Sequence, residues 1–187
     1  GFVCGIVARR ERARGVGAAP ANEELRDVVR VIDGEASLDP GFLHEESLNA
    51  IRNTVRGLTL LGARTTSLDP EWAHVSVRRM VDWLQRQLIV DTQWAVFEPN
   101  EPRLWRRLTM QVTARLLQRF RNRDLQGQDP SEAFFVRCDP TTNTGAVIDA
   151  GQCVVLVGVA PSVPAEFVVF RLTLSLGGDQ RVEVGRA

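Results

Sequence analysis

Residues 92–100 read Thr92-Gln93-Trp94-Ala95-Val96-Phe97-Glu98-Pro99-Asn100. The run from Gln93 to Phe97 is continuously apolar from Trp94 onward, which predicts a short strand over Gln93 to Phe97 buried on both faces. Pro99 stops it, and Asn100 predicts the N-cap of a following helix over 101–125. Glu98 stands close to the positive end of that helix and within reach of an arginine, a structural place rather than a catalytic one. The block therefore reads as scaffold: a central strand, with Trp94 and Phe97 in the core, running into the longest helix of the chain.

Downstream, Leu104, Leu108, Val112, Leu116 and Phe120 form one apolar stripe on helix 101–125. Arg103, Arg106, Arg107 and Arg121 project from the other side. That face is either a solvated surface with local ion pairs or a contact with another molecule. Arg115 and Arg119 lie beside the stripe, so each needs a carboxylate if buried. Gly127 is the expected helix stop. Upstream, Asp69-Pro70 marks a helix entry. A helix over Val75 to Val90 follows, with Met80, Trp83, Leu84 and Leu88 as its apolar stripe.

Strands are expected at Leu58 to Arg64, Ala133 to Cys138, Cys153 to Ala160 and Glu166 to Leu176. A helical turn is expected around Val147 to Ala150. Asn22 would cap a short helical segment, and His44 to Ile51 would form another turn. The alternation predicts an α/β fold, a mixed sheet flanked by helices. In the last strand Phe170, Leu172, Leu174 and Leu176 alternate with polar residues, and about eleven residues is long for a strand. A terminal strand that overruns its own sheet invites pairing with another chain.

The 187 residues are 44% apolar and 25% charged, ordinary for a globular chain with a sizeable core. Formal charge is zero, with 23 basic and 23 acidic residues, which argues against a dedicated nucleic-acid binder. Every basic residue is arginine, the side chain suited to bidentate ion pairs at interfaces. Cys4, Cys138 and Cys153 are odd in number and lack metal-ligand spacing, so free thiols are expected, with no metal and no cofactor. No apolar run would span a bilayer and no signal peptide opens the chain, so cytoplasmic synthesis without membrane insertion is expected.

Eight blocks occur in an order that resembles the contractile tail sheath proteins. They are Ala19-Pro-Ala-Asn22, Gly62-Ala-Arg-Thr65, Asp69-Pro-Glu-Trp72, Val77-Arg-Arg79, Thr92 to Asn100, Glu132 to Asp139, Gly158-Val-Ala-Pro161 and Pro164 to Arg171. They cover nearly the whole chain. The resemblance implies the conserved C-terminal part of a sheath protomer, residues 1–187, without the N-terminal half usual in the family. It implies a tail-sheath core domain whose terminal strands are exchanged between protomers, with 166–187 as a C-terminal arm. Phe2, Val3 and Ile6 at one end, and Phe167, Val169, Phe170, Leu172 and Leu174 at the other, are the expected exchange residues. Asn143, Asp149, Arg103, Arg106 and Arg107 are expected tube-facing or inter-protomer contacts.

The implied function is a structural subunit that polymerises helically around an inner tube and contracts to drive it through an envelope. Its partners would be further copies of itself, the inner tube protein, and baseplate and cap proteins. The particle would be assembled in the cytoplasm as part of a phage-tail-like body. The alternative is a baseplate or cap component of the same particle. A hydrolase is the third reading. Acyl transfer needs nucleophile, base and orienting acid together. Here only His44 and His74 could serve as histidine base, and neither lies in a recognisable motif.

Overall fold

The structure, a computed structural model, describes residues 1–31, 40–162, 168–175 and 180–185. It divides into two compact units, Gly1–Met80 and Val81–Ala187.

The first unit opens with helix α1, Phe2–Arg14. Phe2, Val3 and Ile6 are thus helical, where a strand able to exchange was expected. The reason is the arginine-rich second half of the segment. Arg10 and Arg9 reach Glu23 at 2.7 and 3.2 Å, and Arg79 pairs with Glu11, so the helix is fixed along one side. Its C-terminal arginines also suit the helix dipole. Ile6 enters a core with Leu25, Leu58 and Leu60, while Phe2 and Val3 stay exposed.

Strand β1, Glu23–Glu24, replaces the helical segment expected after Asn22, which itself has φ 58°. Helix α2, Pro40–Glu45, is followed by β2, Ile51–Thr54, and β3, Gly57–Leu60. These strands form an antiparallel sheet in the order β1-β3-β2. Thr54 pairs with Gly57 across a tight turn, and the Thr54 and Thr59 hydroxyls meet at 2.9 Å. Asp69 accepts from the Glu71 N–H at 3.0 Å and starts a 3₁₀ turn, Pro70–Trp72. Helix α3, Val75–Thr92, follows, two residues longer than expected.

In the second unit the largest departure falls on the residues that opened the sequence argument. Gln93–Ala95 is a 3₁₀ turn, not a strand. Trp94 is half-buried, and Phe97 is 83% exposed at φ 70°. Helix α3 runs to Thr92, whose hydroxyl donates to the Leu88 carbonyl at 2.7 Å, so the chain is still turning when the apolar run begins.

Helix α4, Pro102–Arg121, has Glu101 and not Asn100 at its N-cap position, with no side-chain capping bond. Asn100 instead joins two elements: its amide donates to the Gln152 carbonyl at 2.7 Å and accepts the Trp105 indole N–H at 2.7 Å. Helix α4 ends at Arg121, six residues before Gly127, with Arg123 taking the left-handed conformation.

Helix α5, Pro130–Ala133, leads into β4, Phe134–Arg137; helix α6, Gly145–Asp149, precedes β5, Gln152–Val159. Strands β6, Val168–Ser175, and β7, Gln180–Gly185, complete an antiparallel sheet in the order β4-β5-β6-β7. The alternation of helices and strands is as expected, but the described strands form two small antiparallel sheets and not one mixed sheet. Leu104, Leu108, Val112 and Leu116 of α4 are buried, as are Cys153, Val155, Val157 and Val159 on one face of β5. Opposite that face the Phe135 ring covers Gly158, where a Cβ would come within 2.1 Å of it.

Candidate assembly surface

Helix α4 is held at one end by a polar clasp. Arg115 grips Asp91 with two hydrogen bonds, 2.6 and 2.7 Å, in the bidentate geometry of a strong ion pair. That grip also raises the Arg115 pKa above its ordinary value, Asp91's hydrogen bond being the main cause. Gln111 donates to the Asp91 carbonyl and accepts the Trp94 indole N–H, both at 2.5 Å. Arg119 lies over the Trp83 ring at 4.5 Å and meets Asp124 at 3.2 Å. Burial pushes the Asp124 carboxyl above its usual range, and Arg119 pulls it partly back. Both stripe-side arginines thus have the carboxylates their position requires.

The outward face is different. Arg107 stacks on Trp94 at 4.0 Å and reaches Glu98 at 3.8 Å. Arg103 and Arg106 are exposed and make no ion pair among the described residues. Two shallow hollows flank this face. One, of about 470 Å³, lies between Trp94, Arg107, Met110 and Gln111. The other, of about 500 Å³, lies between Arg106, Met110 and the end of β4 at Arg137. Met110 borders both and is 72% exposed. The sequence reading missed Met110 and Arg137. Met110 carried a signal: it follows Arg106 and Arg107 by four and three residues, off the apolar stripe and in register with the arginines.

Asn143 was expected as a contact, and the structure corrects this. It is 2% exposed. Its amide donates to the Val154 carbonyl at 3.1 Å, and its oxygen accepts the Val154 N–H at 2.7 Å, which ties the 139–144 turn to β5. It also approaches the Cys138 thiol at 3.5 Å. Cys138 and Cys153 are both buried and free. A hydrogen bond with Cys153, and then burial, push the Cys138 thiol well up. Asp149 is exposed at the end of α6 and remains available. Among the described residues no group of acids, histidines and cysteines could hold a metal ion, and no helix is long and apolar enough to cross a membrane.

At the C-terminal end, Val169, Phe170, Leu172 and Leu174 lie in β6; Phe167 lies outside the described residues. Among the described residues strand β6 does not overrun its sheet. It pairs along its whole length with β5, from Gln152↔Ser175 to Val159↔Val168, and with β7 on its other side. Among the described strands the two edges of this sheet are β4 and β7, and β7 is the one at the C-terminal end.

A family model, the phage tail sheath C-terminal domain, matches residues 67–175. The chain belongs to the phage tail sheath family. This tail sheath domain is 25% identical over 180 residues to a protein described as a prophage major tail sheath protein of Pseudomonas aeruginosa, covering 93% of this chain and 45% of that protein. It superposes with a TM-score of 0.77 and 32% identity on a chain of the anti-feeding prophage baseplate, covering 88% of this chain and 47% of the other. The figures for the sheath complex of an extracellular contractile injection system in its contracted state are 0.76, 32%, 88% and 48%. The sheath tail protein of Desulfitobacterium hafniense shares the fold at TM-score 0.62 with 11% identity, covering 86% of this chain and 37% of that one. The chain spans less than half the length of these relatives.

Proposed function

We propose that this chain is a sheath subunit of a contractile injection particle, which polymerises helically around an inner tube and contracts to drive the tube through an envelope. The observation that carries the reading is the sheath-family match over residues 67–175, on the helices α3 and α4 and the sheet to which the assembly surface belongs. The extended sleeve is a metastable state, and contraction draws its work from interface added as protomers rotate about their contacts. Further copies, an inner tube protein, and baseplate and cap proteins are the partners, assembled in the cytoplasm. The subunit does no covalent chemistry in this account. Cys138, the candidate thiol nearest a polar turn, is buried with its pKa raised, the opposite of an activated nucleophile.

The chain ends connect protomers. In the described pairing β7 has one free edge, where a neighbour's strand would add by main-chain hydrogen bonds. Alternatively β6 and β7 cross together and make in a neighbour the same pairs they make here, as in domain swapping. Deleting everything after Arg171 would also strip β5 of part of its partner, because Leu172 pairs with Val155 and Leu174 with Cys153. Deleting residues 180–187 is the cleaner test, since it spares the β4-β5-β6 pairs. The truncated chain is expected to stay folded by circular dichroism and to lose sedimentable polymer. Polymer formed at the wild-type level would refute the exchange.

A further inference from the structure

The two hollows on α4 share Met110 and are bordered by Arg106, Arg107 and Arg137, with the Trp94 ring beneath Arg107. Two acids stand among them, Asp139 beside Arg137 and Glu98 at 3.8 Å from Arg107, so the three arginines outnumber the acids by one. Arginine forks around an apolar floor fit an acid-flanked apolar knob, because a fork donates two hydrogen bonds to a carboxylate while the floor packs against a ring or aliphatic group. The chain carries such a knob. On α2, Phe42 is 50% exposed, and Glu45 and Glu46 follow it by three and four residues, on the same side of a helical turn. Leu48, 56% exposed, stands just beyond, and backbone hydrogen bonds from Glu46 to Phe42 and from Leu48 to Leu43 hold the turn in place. Neither glutamate makes an ion pair among the described residues.

We propose that the Phe42–Glu45–Glu46 knob of one copy docks on the arginine-flanked α4 groove of the next. The proposal rests on the polymeric reading above and names two surfaces that meet. Knob and groove are different patches, so the contact is heterologous: each copy offers a groove to one neighbour and a knob to another. Such contacts propagate into open helical arrays unless the rotation closes a ring. Opposite charge would steer the encounter and make it sensitive to salt.

Charge-swapped variants test it. One carries Arg106→Glu with Arg137→Glu, reversing the groove; the other carries Glu45→Arg with Glu46→Arg, reversing the knob. Circular dichroism checks that each is folded. Self-association is followed by analytical ultracentrifugation at low and high salt, and polymer by electron microscopy. Each variant alone is expected to lose association by about tenfold or more, the scale of one lost charge-assisted contact. An equimolar mixture should recover it, because every junction then joins an acidic patch to a basic one. All four substitutions in one chain should recover it too.

Wild-type association by either variant alone would overturn the docking while leaving the sheath reading intact. Loss without recovery in the mixture and the fourfold variant would also overturn it. Recovery of salt-sensitive association with no striated polymer, even from wild type, would support the docking and count against the sheath reading. Absence of any wild-type self-association would overturn both.

Discussion

Asn143→Ala removes two hydrogen bonds from the Val154 backbone and leaves a buried donor and acceptor unpaired. We expect a loss of about 1–3 kcal/mol in urea unfolding, with Asn143→Asp also destabilising because it brings a charge to a 2% exposed site. The residue was visible in the sequence as a turn former, but its burial was not, because nothing local marks which loop folds back onto a strand. Two aspartates respond to pH in opposite senses. The Asp139 carboxyl is held below its ordinary value of 3.8, chiefly by the Thr141 hydroxyl and then by the Thr141 N–H. A lowered folded pKa contributes stability above the unfolded value and loses it as pH falls through the folded one. Asp124 is raised from the same ordinary value of 3.8, chiefly by burial, so its share is full below that value and is lost as pH rises through the folded pKa. The stability difference between wild type and Asp139→Asn should therefore shrink as pH falls below 3.8 in a series of urea titrations. A difference that is constant with pH would contradict the assignment.

Helix α4 was legible almost to its ends, because its leucine and valine stripe has the helical period and little else competes. The Trp94 corner was not. Four apolar residues, Trp94 to Phe97, between two helices look the same whether they form a buried strand or a turn pinned by side chains. The deciding contacts, Trp94 to Gln111 and Arg115 to Asp91, are 17 and 24 residues apart in sequence. Helix α1 was misread for a related reason: its β-branched start suggests a strand, while its arginines find Glu23 only once the chain has turned back. The clasp predicts coupling. Asp91→Ala and Arg115→Ala should each destabilise, and the double variant by less than their sum, with a coupling of about 1–2 kcal/mol in a double-mutant cycle. Phe97 occupies a left-handed conformation that costs a non-glycine residue about 1–2 kcal/mol. With the residue 83% exposed, Phe97→Gly should leave the subunit as stable as wild type or more so in thermal unfolding. A marked loss would mean that the ring is packed.

For the whole molecule, the sequence order of helices and strands and the family blocks were legible together, whereas the separation into two units and two sheets was not. Sheet membership depends on which strands pair, and β1 pairs with β3 across more than thirty residues. Strand β6 is paired on both sides among the described residues, so the exchange proposed above falls to the edge at β7 or to β6 and β7 together. The central claim is that subunits of this kind build a sleeve around a tube. It is tested most directly by electron microscopy of the complete protein containing these residues, co-expressed with its tube partner. The account predicts transversely striated tubes of uniform diameter that shorten and widen when triggered. Monodisperse subunits, with no striated polymer under any assembly condition, would contradict it.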